Sequence, residues 1–134
     1  MAGSFSDFLE LEVLDHVFGA AAYTAPATLY VAAYTVAPSD TGGGTEATGG
    51  SYARVAVTNN ATNFPAASAG AKANGTAITF PTATASWGTI VAVAVLDAAT
   101  AGNFLGWCDL AVSKAVGSGD TLQIAVGDLD ITLA

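Results

Sequence analysis

The sequence predicts an all-β fold, a jelly-roll-like two-sheet β-sandwich with one N-terminal helix, and three observations carry that prediction. Short runs of about four to eight residues, rich in Val, Ile, Thr and aromatic side chains, alternate with clusters of Gly, Pro, Asn and Asp. About eight such runs, with turns every eight to twelve residues or so, are the pattern of a sandwich or jelly roll. Only one segment, near the N-terminus, places apolar residues at helical steps. A chain of 134 residues suits one domain, and a domain of that size removes roughly two-thirds of its unfolded surface from water on folding. Residues 1–134 are therefore read as a single domain, with a helix or arm over 4–18 and the sandwich over 26–134.

The helix has a start, a face and a stop. Ser4 or Ser6 can cap it, Asp7 stands in the first turn, and Phe8, Leu9, Leu11, Leu14, Val17 and Phe18 make a stripe at i, i+3 and i+4 steps. Gly19 is read as the C′ residue that ends it. The stripe either caps one end of the β core or grips a neighbouring subunit. His16, the single histidine, has no second imidazole with which to build a metal site or relay, and is read as a polar helix position.

After Pro26 the period changes. Thr28 to Thr35 puts Leu29, Val31 and Ala33 on one face and Tyr30, Ala32 and Tyr34 on the other, so neither face is charged and both are expected to be covered. Pro38 to Ser51 is rich in glycine and reads as a mobile loop. It is not a phosphate loop, since no lysine follows at the required spacing. Ala53 to Val57 is the next strand. Asn63-Phe64-Pro65 and Thr79-Phe80-Pro81 echo each other: each proline ends a short strand and each phenylalanine anchors that end in the core. Asn74-Gly75 marks the turn before a strand at Ala77 to Phe80.

The most apolar strand is Ile90 to Leu96, which returns across Asp97 to Gly102 into a strand at Asn103 to Ala111. In a two-layer sandwich one face of Ile90 to Leu96 meets the core, and the other is expected to meet the N-terminal helix or a second subunit. The last strands are Leu122 to Val126 and Leu129 to Leu133.

Composition excludes several functions. Charged residues make up 10% of the chain, against about 25% in an ordinary domain, and mean hydropathy is +0.52. Such a surface calls for cover by copies of the chain or by a partner. The unbroken apolar run Ile90 to Leu96 falls far short of the roughly 20 residues a spanning helix needs. The N-terminus, interrupted by Asp7, Glu10, Glu12 and Asp15, is not read as a signal peptide. Eleven carboxylates against Arg54, Lys72 and Lys114 give a net charge of −8, which leaves little with which to neutralise phosphates. Neither nucleic acid nor membrane is expected as a partner.

No constellation of nucleophile, base and orienting group is present, so neither an enzyme nor a cofactor is expected. Asp128 and Asp130 alternate onto one strand face, with Asp109 and Asp120 available nearby. They read as a solvated edge that blocks unwanted strand pairing, and as a Ca²⁺ site only in second place. Cys108 reads as a small buried hydrophobe and rules out an internal disulfide. Trp87 and Trp107 are the residues a carbohydrate-binding sandwich would stack on sugars, although a Trp-Gly pair at a strand end is more often core.

A set of spaced motifs adds a resemblance. Leu14 to Gly19, Tyr23 to Ala32, Tyr52-Ala53-Arg54-Val55, Asn63 to Ala67, Asn74 to Ala83, Ser86-Trp87-Gly88-Thr89 and Asp97 to Asn103 together resemble a family of small tailed-phage virion proteins, often labelled tail fibre proteins. The resemblance spans nearly the whole chain and implies a virion structural role. With no long helical repeat or shaft pattern in view, the leading expectation is a capsid decoration or cement protein. It would sit on the outer surface of the head, with the major capsid protein and further copies of itself as partners. A tail, baseplate or fibre component contacting the host is the alternative, and a carbohydrate-binding module the third.

Overall fold

In the computed structural model, which describes residues 3–132, the chain is an all-β sandwich with one N-terminal helix. The elements are β1 (Gly3–Phe5), α1 (Asp7–Phe18), β2 (Thr28–Val36), β3 (Thr45–Glu46), β4 (Val55–Thr58) and β5 (Ala71–Ala73). They continue with β6 (Ile78–Thr79), β7 (Gly88–Leu96), β8 (Phe104–Val116), β9 (Gln123–Ile124) and β10 (Asp130–Thr132). One layer is a six-stranded antiparallel sheet in the order β1-β8-β7-β2, with β3 and β4 both pairing with β2. The other is built from two short ribbons, β10 with β5 and β6 with β9.

The main core lies between these layers. Val31 and Ala33 of β2, Ile90 and Val93 of β7 and Cys108 of β8 meet Phe64, Ile78, Phe80, Leu122, Ile124 and Leu129. Trp87 stands among them, edge-on to Tyr52 at 5.2 Å and to Phe80 at 6.3 Å, and its ring N–H donates to the Gly50 carbonyl at 2.9 Å. A buried indole needs such an acceptor. Asn74, buried at the ribbon ends, donates to the Thr76 and Ala125 carbonyls and accepts from the Leu129 amide, which ties the two ribbons together.

The far face of the sheet is closed by the chain itself. Ala32 pairs with Ala94, Ala94 with Trp107, and Tyr34 with Ala92. The three alanines are fully buried, and Tyr34, Leu96, Phe104 and Trp107 pack around them. Side chains this short let flanking rings close over them. The expectation that the helix covers this face is therefore corrected: among the described elements α1 touches only β8 and β1, and the alanines are buried within one copy of the chain.

Three further expectations change. Residues 3–5 are a strand rather than part of the helix, because β1 pairs Gly3 with Cys108 and Phe5 with Gly106. The helix begins at Asp7, with Ser6 as its cap. Phe64 anchors in the core as expected, but it follows a turn and not a strand: the Asn60 side chain accepts from the Thr62 and Asn63 amides, and the Asn60 carbonyl from the Phe64 amide. Finally, Pro38 to Ser51 is not an unattached loop. Ala47 is buried and its amide donates to the Ala33 carbonyl at 2.9 Å. Gly44 and Gly50 adopt φ of +71° and +51°, and a Cβ there would stand 2.5 Å from the carbonyl oxygens of Val36 and Ala85 respectively. Glycine in this segment serves close backbone approach as well as freedom.

Glu46 of the same segment forms a partly buried ion pair with Arg54. The Arg54 guanidinium forks onto Glu46 at 2.9 and 2.8 Å and donates to the Ala98 and Ala101 carbonyls in the β7–β8 turn. Tyr52 donates to the same carboxylate at 2.7 Å while accepting from the Ala33 amide. Three separate stretches of chain are joined by one guanidinium.

Candidate interaction surface

The N-terminal arm is attached at its base and open along its length. Ser6 caps α1, its Oγ accepting from the Leu9 amide at 3.2 Å, and Asp7 and Glu10 fall in the first turn where the helix dipole favours them. The Ser6 hydroxyl also donates to the Phe104 carbonyl, its amide donates to Leu105, and the Asp7 amide donates to the Asp40 carbonyl. At the other end the left-handed residue is Ala20, with φ of 55°, and not Gly19, which is the C-cap with φ of −146°. Glycine is still favoured at 19 because a Cβ would stand 3.1 Å from the Asp15 carbonyl oxygen. His16 accepts at Nδ1 from the Tyr23 amide at 3.0 Å, which folds the following segment back along the helix.

Asp40 holds this arm to the sheet. Its carboxylate accepts from the Ser4 hydroxyl and from the Trp107 ring N–H at 3.1 Å, and these bonds, Ser4 first, hold its pKa below the ordinary 3.8. A carboxylate with a depressed folded pKa contributes stability above its unfolded value and loses it as pH falls through the folded one. Acid titration followed by tryptophan fluorescence is thus expected to show a change below pH 3.8, and Asp40→Ala is expected to remove it. Persistence of the same transition in the variant would assign it to another group.

No residue of α1 is buried. Leu11, Leu14, Val17 and Phe18 are 62%, 54%, 60% and 82% exposed, while Phe8, Leu9 and Val13 are half-buried. Beneath the arm lies an apolar cavity of about 210 Å³, lined by Leu9, Tyr23, Pro26, Leu29, Val95 and Ile131 among others.

The remaining candidates are dispersed. Cys108 is buried, and desolvation pushes its thiol up to about 11, which suppresses the thiolate. Asp130 pairs with Ala73 at the start of β10, whereas Asp128 lies in the preceding turn and Asp120 accepts from the Gly117 amide in another. Among the described residues no three His, Cys, Asp or Glu side chains gather as a metal would require. Trp87 is 4% exposed and offers no stacking face. Trp107 is half-buried and bonded to Asp40. No helix among the described residues is long and apolar enough to cross a membrane.

The Glu46–Arg54–Tyr52 network and the Asp40 anchor were not foreseen from sequence. Arg54, as one of only three basic residues in an acidic chain, was the available signal for an internal pair.

A family model described as Podophage GP4 fiber I protein gp80 matches residues 4–132 of the chain. No curated protein matches it.

Proposed function

The chain belongs to the podophage GP4 fiber I protein gp80 family and is a phage virion structural protein, and on that premise we propose that it is a tail-fibre component with a structural, non-enzymatic role. The match over residues 4–132 carries this reading, since it takes in both the arm and the sandwich. It favours the fibre alternative over the expected decoration of the head. The sparse charge and the exposed Val36, Val112 and Val126 on the sandwich support incorporation as copies of itself. A sugar-stacking role for Trp87 has no support, because the ring is enclosed by Tyr52 and Phe80.

Gold-labelled antibody against the chain, applied to intact particles, tests the location. Label at the tail is the expected result. Label spread over the head shell would overturn it and restore the decoration reading, with the major capsid protein as partner.

A further inference from the structure

We infer that the outward face of α1 docks a second protein whose contact surface is apolar and flanked by Lys or Arg, and not another copy of this chain. The inference goes beyond the tail assignment and does not depend on it. Leu11, Leu14 and Phe18 follow one another at steps of three and four, the spacing that aligns side chains along one side of a helix and forms the seam when helices pair. That side is the exposed one, whereas Phe8, Leu9, Glu10, Glu12 and Val13 are half-buried against the protein's own body. Three large apolar side chains in line, with Val17 beside them, form an exposed patch of the kind that marks a protein contact.

Charge decides the occupant. The seam is flanked by Glu10 on one side and Asp15 on the other, and Asp7 continues its line at the N-terminal end. In a parallel pair of identical helices, Glu10 of one faces Asp15 of the other across the seam; in an antiparallel pair the flanks again supply no cation. A second copy has little to offer elsewhere. Of its three basic residues, Arg54 is taken by Glu46 and two carbonyls, and Lys72 donates to the Phe64 carbonyl at 3.3 Å. Lys114 is exposed on β8, so among the described residues a second copy offers one free cation against the three carboxylates Asp7, Glu10 and Asp15. Like charges set across a seam repel, and a partner bearing basic flanks removes that repulsion.

The full chain should be titrated with a synthetic amphipathic helical peptide bearing leucines on one face and lysines beside them, and with the same peptide carrying glutamates for lysines. The lysine peptide is expected to bind, to weaken as salt rises, and to lose roughly tenfold in affinity with either Leu14→Ser or Phe18→Ser. Both positions are exposed, so circular dichroism should report an unchanged fold, and sedimentation an unchanged oligomer. Unaltered affinity in both variants would overturn the inference by placing the peptide elsewhere. A smaller oligomer in Phe18→Ser would overturn it in favour of a second copy, and no binding of the lysine peptide, or equal binding of the glutamate peptide, would overturn it because the occupant is assigned by charge.

Discussion

Val93→Asp and Ala94→Asp are each expected to leave no soluble folded chain. Val93 is fully buried, set between Ala33 and Cys108 on the face that meets the ribbons. Ala94 is fully buried on the other face, between Ala32 and Trp107. Both positions are surrounded by hydrophobic side chains, so an introduced carboxylate is desolvated there. An unpaired buried charge costs several kcal/mol after relaxation, and the whole domain has only about 5–15 kcal/mol to lose. At Ala94 the added atoms must also displace the ring of Trp107 or Tyr34. The check is the soluble fraction and circular dichroism beside Val126→Asp, a control at an exposed site. Soluble variants with a cooperative transition like the control's would show that the sheet is not closed on both faces.

Arg54→Ala is expected to cost roughly 2–3 kcal/mol, between the ~1 kcal/mol of a surface pair and the roughly 3–5 kcal/mol of breaking a fully buried one. The side chains of Arg54 and Glu46 are 9% and 24% exposed at a separation of 2.8 Å. Removing the guanidinium leaves the Glu46 carboxylate with Tyr52 alone and strips the donor from two carbonyls of the β7–β8 turn. Arg54→Lys should recover only part, since an ammonium cannot reproduce the fork. Urea titration should place Arg54→Ala well below wild type. A loss under about 1 kcal/mol, the range of surface pairs, would mean that the pair is solvated. Burial tends to raise the Glu46 pKa, but the hydrogen bonds from Arg54 and Tyr52 and the Arg54 charge outweigh it and hold the value below the ordinary 4.5. Its contribution is therefore present above pH 4.5 and is lost as acid passes through the folded pKa. The Arg54→Ala profile should accordingly be flatter in acid.

The strands that carry the sheet were legible because their chemistry is local. Thr28 to Thr35 and Ile90 to Leu96 are uncharged at consecutive positions and rich in β-branched or aromatic side chains, the pattern of a strand covered on both faces. Trp87, Phe80 and Cys108 announced themselves as core by size and apolar character. The Pro38 to Ser51 segment misled for the opposite reason. Its glycines look like freedom, but Gly44 and Gly50 are places where another backbone comes within reach, and no spacing rule reveals which carbonyl will arrive there. The same holds for Asp40 and Ser4, joined across most of a sheet edge though 36 residues apart in the chain.

By itself the sequence determined the class of fold, the helix near the N-terminus and the two central strands, because periodicity and side-chain shape act within a few residues. Only the tertiary structure decided what those elements face. The alanines of β7 are roofed by the chain's own aromatic rings, so α1 is left outside the sandwich with Leu11, Leu14 and Phe18 turned to solvent. A helical stripe records that one side of a helix is apolar; which surface meets it is set by contacts between residues far apart in the chain, and periodicity carries no record of them.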